Sequence, residues 1–179
     1  KARYTREKQS KIRQVLGKCI TPLDSTSHLV YHISSEQTEK GGRFMSTAVE
    51  KALQFQRIAV VGLSKDPAKA AHSVPRYLQH HGYKIYPVNP FGGEELLGEE
   101  VYNAVSEIEG PVDLVVVFRP SAEVLPVVED ALQRHDLQGI WLQEGITSRQ
   151  AEELAKERGL VFVQDKCMFK EHRKSRRQR

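Results

Sequence analysis

From residue 45 onward, short apolar runs alternate with longer stretches in which apolar residues recur every three or four positions. Five runs of four to seven residues, 57–63, 84–88, 112–118, 139–142 and 160–163, read as strands. The third holds Leu114, Val115, Val116 and Val117 in succession, the pattern of a strand buried on both faces. Between them, helical spacing predicts helices over 46–54, 73–81, 102–108, 122–134 and 148–158. The punctuation agrees. Ser46 or Thr47 caps the first helix with Glu50 near its third position, and Ser73 caps the second with Pro75 tolerated in its first turn. Gly82 stops that helix, Asn89-Pro90 closes the second strand, 91–98 reads as a glycine-rich loop, and Ser121 caps the fourth helix. Connections this long exclude hairpins between successive strands. The expected fold is α/β: a Rossmann-like, doubly wound, five-stranded parallel sheet in a three-layer α/β/α sandwich.

Composition adds limits. The 179 residues, 39% hydrophobic and 28% charged, suffice for one domain with a buried core. No apolar run approaches the length of a membrane span, and the first twenty residues lack the apolar segment of a secretory signal. Cys19 and Cys167 lie far apart, without metal or disulfide spacing, which fits a reduced, cytoplasmic setting.

The net charge of +4 averages over an uneven chain. Residues 1–44 carry nine Lys/Arg against four Asp/Glu, residues 45–165 eleven against eighteen, and residues 166–179 seven against one. An acidic body sits between basic ends. We divide the chain into a basic extension (1–44), a folded domain (45–172) and a basic tail (173–179). Met45, just ahead of the first patterned segment, reads as a natural start, with 1–44 as an added segment. A basic arm or an organelle presequence is the alternative, and a short basic helix fits 8–16. Nucleic-acid binding by the acidic body is disfavoured, while a basic tail is able to hold polyanions loosely.

Ligands of doubly wound sheets bind beyond the carboxyl ends of the strands. The loop after the first strand, from Gly62, Leu63, Ser64 and Lys65 to Lys69 and His72, stands where such folds hold phosphate. Gly62 permits close backbone approach, Ser64 brings a hydroxyl, and Lys65, Lys69 and His72 bring donors against one acid, Asp66. A solvated loop with ordinary lysines is the plain alternative. The dinucleotide fingerprint Gly-x-Gly-x-x-Gly is absent, and Val88-Asn89-Pro90 replaces the ribose-binding acid at the second strand's end. The P-loop pattern is missing too. Asn89, Pro90 and Phe91 form a second loop, in which Asn89 either contacts a ligand or caps its own turn. Phe118, Arg119 and Pro120 end the third strand, where Arg119 contacts a phosphate or an amide, or pairs with Glu123 or Glu144. Gln143, Glu144 and Gly145 end the fourth. Trp141 reads as core, and His80-His81 as solvated. Cys167, near Lys166 and His172, is either an inert half-buried cysteine or a thiol of lowered pKa. No nucleophile elbow is present.

Several short motifs occur together in order: Ile58-Ala59-Val60-Val61-Gly62-Leu63-Ser64, Tyr77-Leu78, Gly82-Tyr83, Pro87-Val88-Asn89-Pro90, Leu97-Gly98, Val112-Asp113-Leu114-Val115, Val117-Phe118-Arg119, Trp141-Leu142-Gln143 with Gly145, and Cys167 with Glu171-His172. With them, residues 55–170 resemble the small stand-alone CoA-binding domain proteins, and the domain is similar to the CoA-binding domain of the succinyl-CoA synthetase alpha subunit. The resemblance implies coenzyme A or acyl-CoA as ligand. The adenosine diphosphate end would lie by Gly62–Lys65, Lys69, His72 and the Asn89 loop, and the pantetheine arm would run past Phe118-Arg119-Pro120 toward Gln143–Gly145. A missing ribose acid suits CoA, whose ribose carries a phosphate. The chain lacks the further ligase domain of the synthetases and the glycine-rich succession of their loop.

The function expected is therefore a small non-catalytic CoA or acyl-CoA module: a carrier, sensor or accessory subunit with a protein partner left open. The alternatives are a nucleotide-dependent oxidoreductase or a subunit of an acyl-CoA ligase complex. A third reading makes the basic ends a tether for RNA or an acidic partner. A mixed disulfide between Cys167 and CoA is a further possibility.

Overall fold

The computed structural model describes residues 47–91 and 93–178. The basic extension and the suggested helix at 8–16 lie outside them. Helix α1 (Ala48–Ala52) opens on a capping box, in which Thr47 Oγ1 accepts from Glu50 N–H and the Glu50 carboxylate accepts from Thr47 N–H. Then come β1 (Arg57–Val61), α2 (Ala70–His80), β2 (Lys84–Val88), and the short strands β3 (Glu95–Leu96) and β4 (Glu99–Glu100). After these follow β5 (Leu114–Val117), a 3₁₀ turn (Ser121–Glu123) leading into α3 (Val124–Ala131), β6 (Gly139–Leu142), α4 (Arg149–Glu157), β7 (Val161–Val163) and α5 (Met168–Arg177).

The five long strands form one parallel sheet in the order β2-β1-β5-β6-β7. Alternation along each strand divides the core in two. Ile58, Val60, Leu114, Val116 and Trp141 face a layer holding Leu53, just past α1, and Val74, Leu78 and Met168 from α2 and α5. Ala59, Val61, Val115, Val117, Ile140 and Leu142 face Val124, Val128, Ala151 and Ala155 from α3 and α4. Leu114–Val117 is wholly buried, as expected of a central parallel strand. Each such aliphatic side chain contributes about 1.5–3 kcal/mol. The doubly wound sheet and its three layers are as the hydrophobic pattern requires.

Four local expectations need correction. Helix α2 begins at Ala70, three residues before Ser73, because Lys69 O accepts from Ser73 N–H and His72 N–H and starts the turn early. Pro75 therefore lies inside the helix rather than in its first turn. Residues 102–108 are not helical. Tyr102 extends the sheet instead, with its N–H donating to Pro87 O and its carbonyl accepting from Asn89 N–H. The glycine-rich loop contains the β3–β4 hairpin, turned at Leu97 (φ 56°) and Gly98 (φ 75°). Both turn residues are left-handed, as a type I′ turn requires, and Gln79 Nε2 holds Leu97 O at 3.0 Å. Ser121 heads the 3₁₀ turn, and its hydroxyl accepts from Thr147 N–H.

Helix α5 has no counterpart in the expected elements. It runs through the boundary set at 172, so residues 173–177 continue a helix that starts under the sheet. Its first two residues are apolar (Met168, Phe169) and its last turn is basic, which matches the negative end of the helix dipole.

At the amino ends of the strands the core is closed by a charge network. Asp113 is 5% exposed. It accepts from Arg57 N–H (3.0 Å), from the Arg57 guanidinium and from Gln138 Nε2 (2.9 Å). The hydrogen bond from the Arg57 side chain is the main cause holding its carboxyl below the usual range, against the opposing effect of burial. At Asp136 burial pushes the other way and is outweighed by Arg134 and the Val112 N–H. Both carboxylates thus stabilise the fold above the unfolded pKa of about 4. The benefit is lost as pH falls through the lower folded values. Asp113→Ala leaves the Arg57 backbone N–H and Gln138 without this acceptor. It is expected to lower unfolding free energy by about 2–3 kcal/mol, measured by urea denaturation at pH 7, and to flatten the loss of stability below pH 4.

Candidate functional site

The chain leaves β1 to one side to form β2, then returns to the other side to form β5. Strand order therefore reverses between β1 and β5, and the carboxyl ends of these two strands frame a crevice. Backbone bonds carry the register past the last paired residues. Gly62 N–H donates to Val88 O, Phe118 N–H to Val61 O and Gln143 N–H to Val117 O. This aligns Asn89, Gly62, Phe118 and Gln143 in one row across the sheet's upper edge. Residues from four separate loops are thus brought together.

Gly62 is the pivot. Its φ is +86°, and a Cβ there would lie 3.0 Å from Arg119 Cδ and 3.4 Å from the Phe118 carbonyl carbon. Only glycine meets both demands. The following loop is self-bonded: Ser64 Oγ accepts from Asp66 N–H, Asp66 Oδ1 from Ala68 N–H, and Ser64 N–H donates to Ala71 O. His72 Nδ1 lies 2.8 Å from Ser64 O, so it carries the proton. Lys69 is the N-cap of α2 and makes no side-chain cap bond. The first turn of an eleven-residue helix therefore opens at this loop, flanked by exposed Lys65 and Lys69. Lys65 Nζ reaches over Gly93, 3.0 Å from where a Cβ would stand, so the first and second loops lie side by side.

Asn89 uses both ends of its amide within the protein. Nδ2 donates to Leu63 O (2.8 Å) and Oδ1 accepts from Phe91 N–H (3.0 Å). These bonds cap its own turn. Pro90 and Phe91 are exposed, and Phe91, at 84%, is the one large hydrophobic side chain so exposed among the described residues. Arg119 lies across Gly62 with its guanidinium on Glu123, the first of the ion-pair partners considered for it. Pro120 precedes the 3₁₀ turn. Glu144 is exposed and pairs with Lys170 (2.6 Å). Gly145 (φ +80°) is held by Asp165 Oδ1 on its N–H at 2.7 Å. Asp165 is itself left-handed (φ 53°) and carried no signal in the sequence beyond being an acid after a strand.

Gln143 differs from the rest. It is 4% exposed, Oε1 accepts from Met168 N–H at 3.3 Å, and Nε2 has no partner among the described residues. Trp141 is core as expected, with Nε1–H on Lys166 O at 2.6 Å. Cys167 is half-buried and is the N-cap of α5. His81 is not simply solvated: its ring stacks on Tyr77 at 4.0 Å and its Nδ1 lies 2.7 Å from Tyr77 O. Elsewhere a groove of about 580 Å³, lined in part by Gln54, Gln56, His81 and Arg176, opens at the amino ends of β1 and β2, opposite the crevice. Among the described residues, no His, Cys, Asp and Glu cluster has the makings of a metal site, and no helix is long and apolar enough to cross a membrane.

The strand reversal, Gly62 and the start of α2 thus meet at the strand ends where doubly wound sheets take their ligands. The CoA binding domain model matches residues 56–173, and the chain belongs to that family. It is 39% identical over 117 residues to the uncharacterized protein YneT of Bacillus subtilis, covering 65% of this chain and 85% of that one. It is 37% identical over 92 residues to the alpha subunit of an ADP-forming acetate–CoA ligase of Pyrococcus furiosus, covering 49% of this chain and only 20% of that subunit. A solved structure from Thermus thermophilus shares 41% identity at a TM-score of 0.65, covering 69% of this chain and 92% of that one. A hypothetical protein from Pyrococcus horikoshii shares 35% at 0.67, covering 71% and 88%. The chain is thus close in extent to small stand-alone relatives and spans about a fifth of the ligase subunit.

Gly62→Ala adds a Cβ at a left-handed φ and against Arg119. We expect it to lower unfolding free energy by about 1–2 kcal/mol, measured by thermal melting.

Proposed function

We propose that this chain binds coenzyme A or acyl-CoA at the β1/β5 crevice as a small module without chemistry of its own: a carrier, sensor or accessory subunit. The observation that carries the reading is the reversal itself, with Gly62 cleared for close approach and the start of α2 set beside Lys65 and Lys69. The phosphates of CoA are polyanionic, and a helix start with two free lysines suits them. Asn89 replaces the acid that a dinucleotide ribose would need, and its amide is committed to the loop. An acid there would repel a ribose phosphate. The CoA binding domain match and the similarity to a ligase subunit support the same ligand.

The pantetheine arm would follow the row from Gly62 past Phe118 and Arg119 to Gln143. Arg119 would exchange Glu123 for ligand or hold the wall in place. The ligase relative also supports a second reading, in which the chain serves as one part of an acyl-CoA ligase assembly.

Calorimetric titration with CoA, NAD and ATP at two salt concentrations tests the reading. CoA should bind in the micromolar range and more weakly at higher salt, with NAD and ATP at least tenfold weaker. Lys65→Glu with Lys69→Glu should weaken CoA by about ten- to a hundredfold, the worth of one or two charge-assisted bonds, and reduce the salt dependence. Unchanged affinity in the double variant, or preference for NAD, contradicts it.

A further inference from the structure

The Gln143 amide is buried, stands at the end of β6, and leaves a donor without a partner among the described residues. Buried donors are ordinarily satisfied, and one that is not asks for an acceptor. Its orientation follows from its neighbour. Met168 N–H is a donor 3.3 Å from one end of the amide, so that end is the oxygen and the other is the NH₂. The same planar amide therefore faces the first turn of α5, a ten-residue helix. Cys167, its N-cap, gives no side-chain cap bond, and the first-turn N–H groups have no acceptor within the helix. A helix start and a buried free donor thus meet at one place. Neighbouring strands are about 4.8 Å apart, so Gln143, two strands from Gly62, lies about 10 Å along the row from the proposed phosphate end.

We infer that Gln143 Nε2 and the start of α5 form a subsite for the thioester carbonyl of an acyl-CoA, so that the domain distinguishes acylated CoA from the free thiol. This rests on the CoA reading above and specifies its far end. Free CoA ends in a thiol, a poor acceptor for an amide N–H. A thioester carbonyl accepts it and faces the positive end of the helix. No bond is made or broken at this subsite.

The test compares acetyl-CoA with CoA by calorimetry in the wild-type chain, Gln143→Met and Gln143→Glu. The bound resonance of acetyl-CoA labelled with ¹³C at the thioester carbonyl is read in parallel. The wild-type chain should bind acetyl-CoA about tenfold more tightly than CoA, the worth of one added hydrogen bond. Both variants should lose that preference, and the carbonyl resonance should move upfield in each. Equal wild-type affinities, or a preference and resonance unchanged in the variants, overturn the subsite while leaving the CoA reading intact. Binding of neither ligand by the wild-type chain overturns both. Should the variants fail to fold, the wild-type comparison decides alone.

Discussion

The site depends on β1 having neighbours on both sides. Its backbone pairs with β2 along one edge and β5 along the other, and it is buried above and below. Because the chain must leave this strand in one direction and come back in the other, the loops after β1 and β5 part at their carboxyl ends. A gap between them is unavoidable. Gly62 and Arg119 meet across it, and the first turn of α2 opens onto it. The chemistry of the crevice follows from topology before any particular side chain is considered.

Charge is divided in a way that suits this arrangement. The body is acidic in total, and several of its acids are paired. Asp113 and Asp136 fasten the amino ends of the strands, Glu123 holds Arg119, and Glu144 holds Lys170. Lys65 and Lys69, by contrast, enter no ion pair among the described residues. Two unpaired lysines, with Asp66 between them, thus stand before α2 in a molecule whose folded body carries more acids than bases. Gln143 makes a similar point for hydrogen bonding, since its oxygen secures α5 and its nitrogen is left over.

The sheet was legible in the sequence because buried parallel strands are short unbroken apolar runs, and β2 and β6 match those runs end to end. Elements decided by tertiary pairing were not. Tyr102 sits in a segment with helical spacing, but Pro87 and Asn89 offered it sheet bonds instead. The hairpin at Leu97-Gly98 lacks the usual Asn-Gly signal, and α5 is too basic to read as a helix with a buried face, although Met168 and His172 are buried. Within the site, the loops were legible from their position after strands. The roles of Asn89 and Gln143 were not, because an amide's use depends on which backbone groups surround it.

The central claim is that ligand meets the strand ends between β1 and β5. Backbone amide shifts in a ¹⁵N-labelled chain titrated with CoA test it most directly. The account predicts that the largest changes fall at Gly62, at Lys69 to His72, at Arg119 and at Gly145. Changes confined to Gln54, Gln56, His81 and Arg176, around the groove at the opposite end of the sheet, would contradict it.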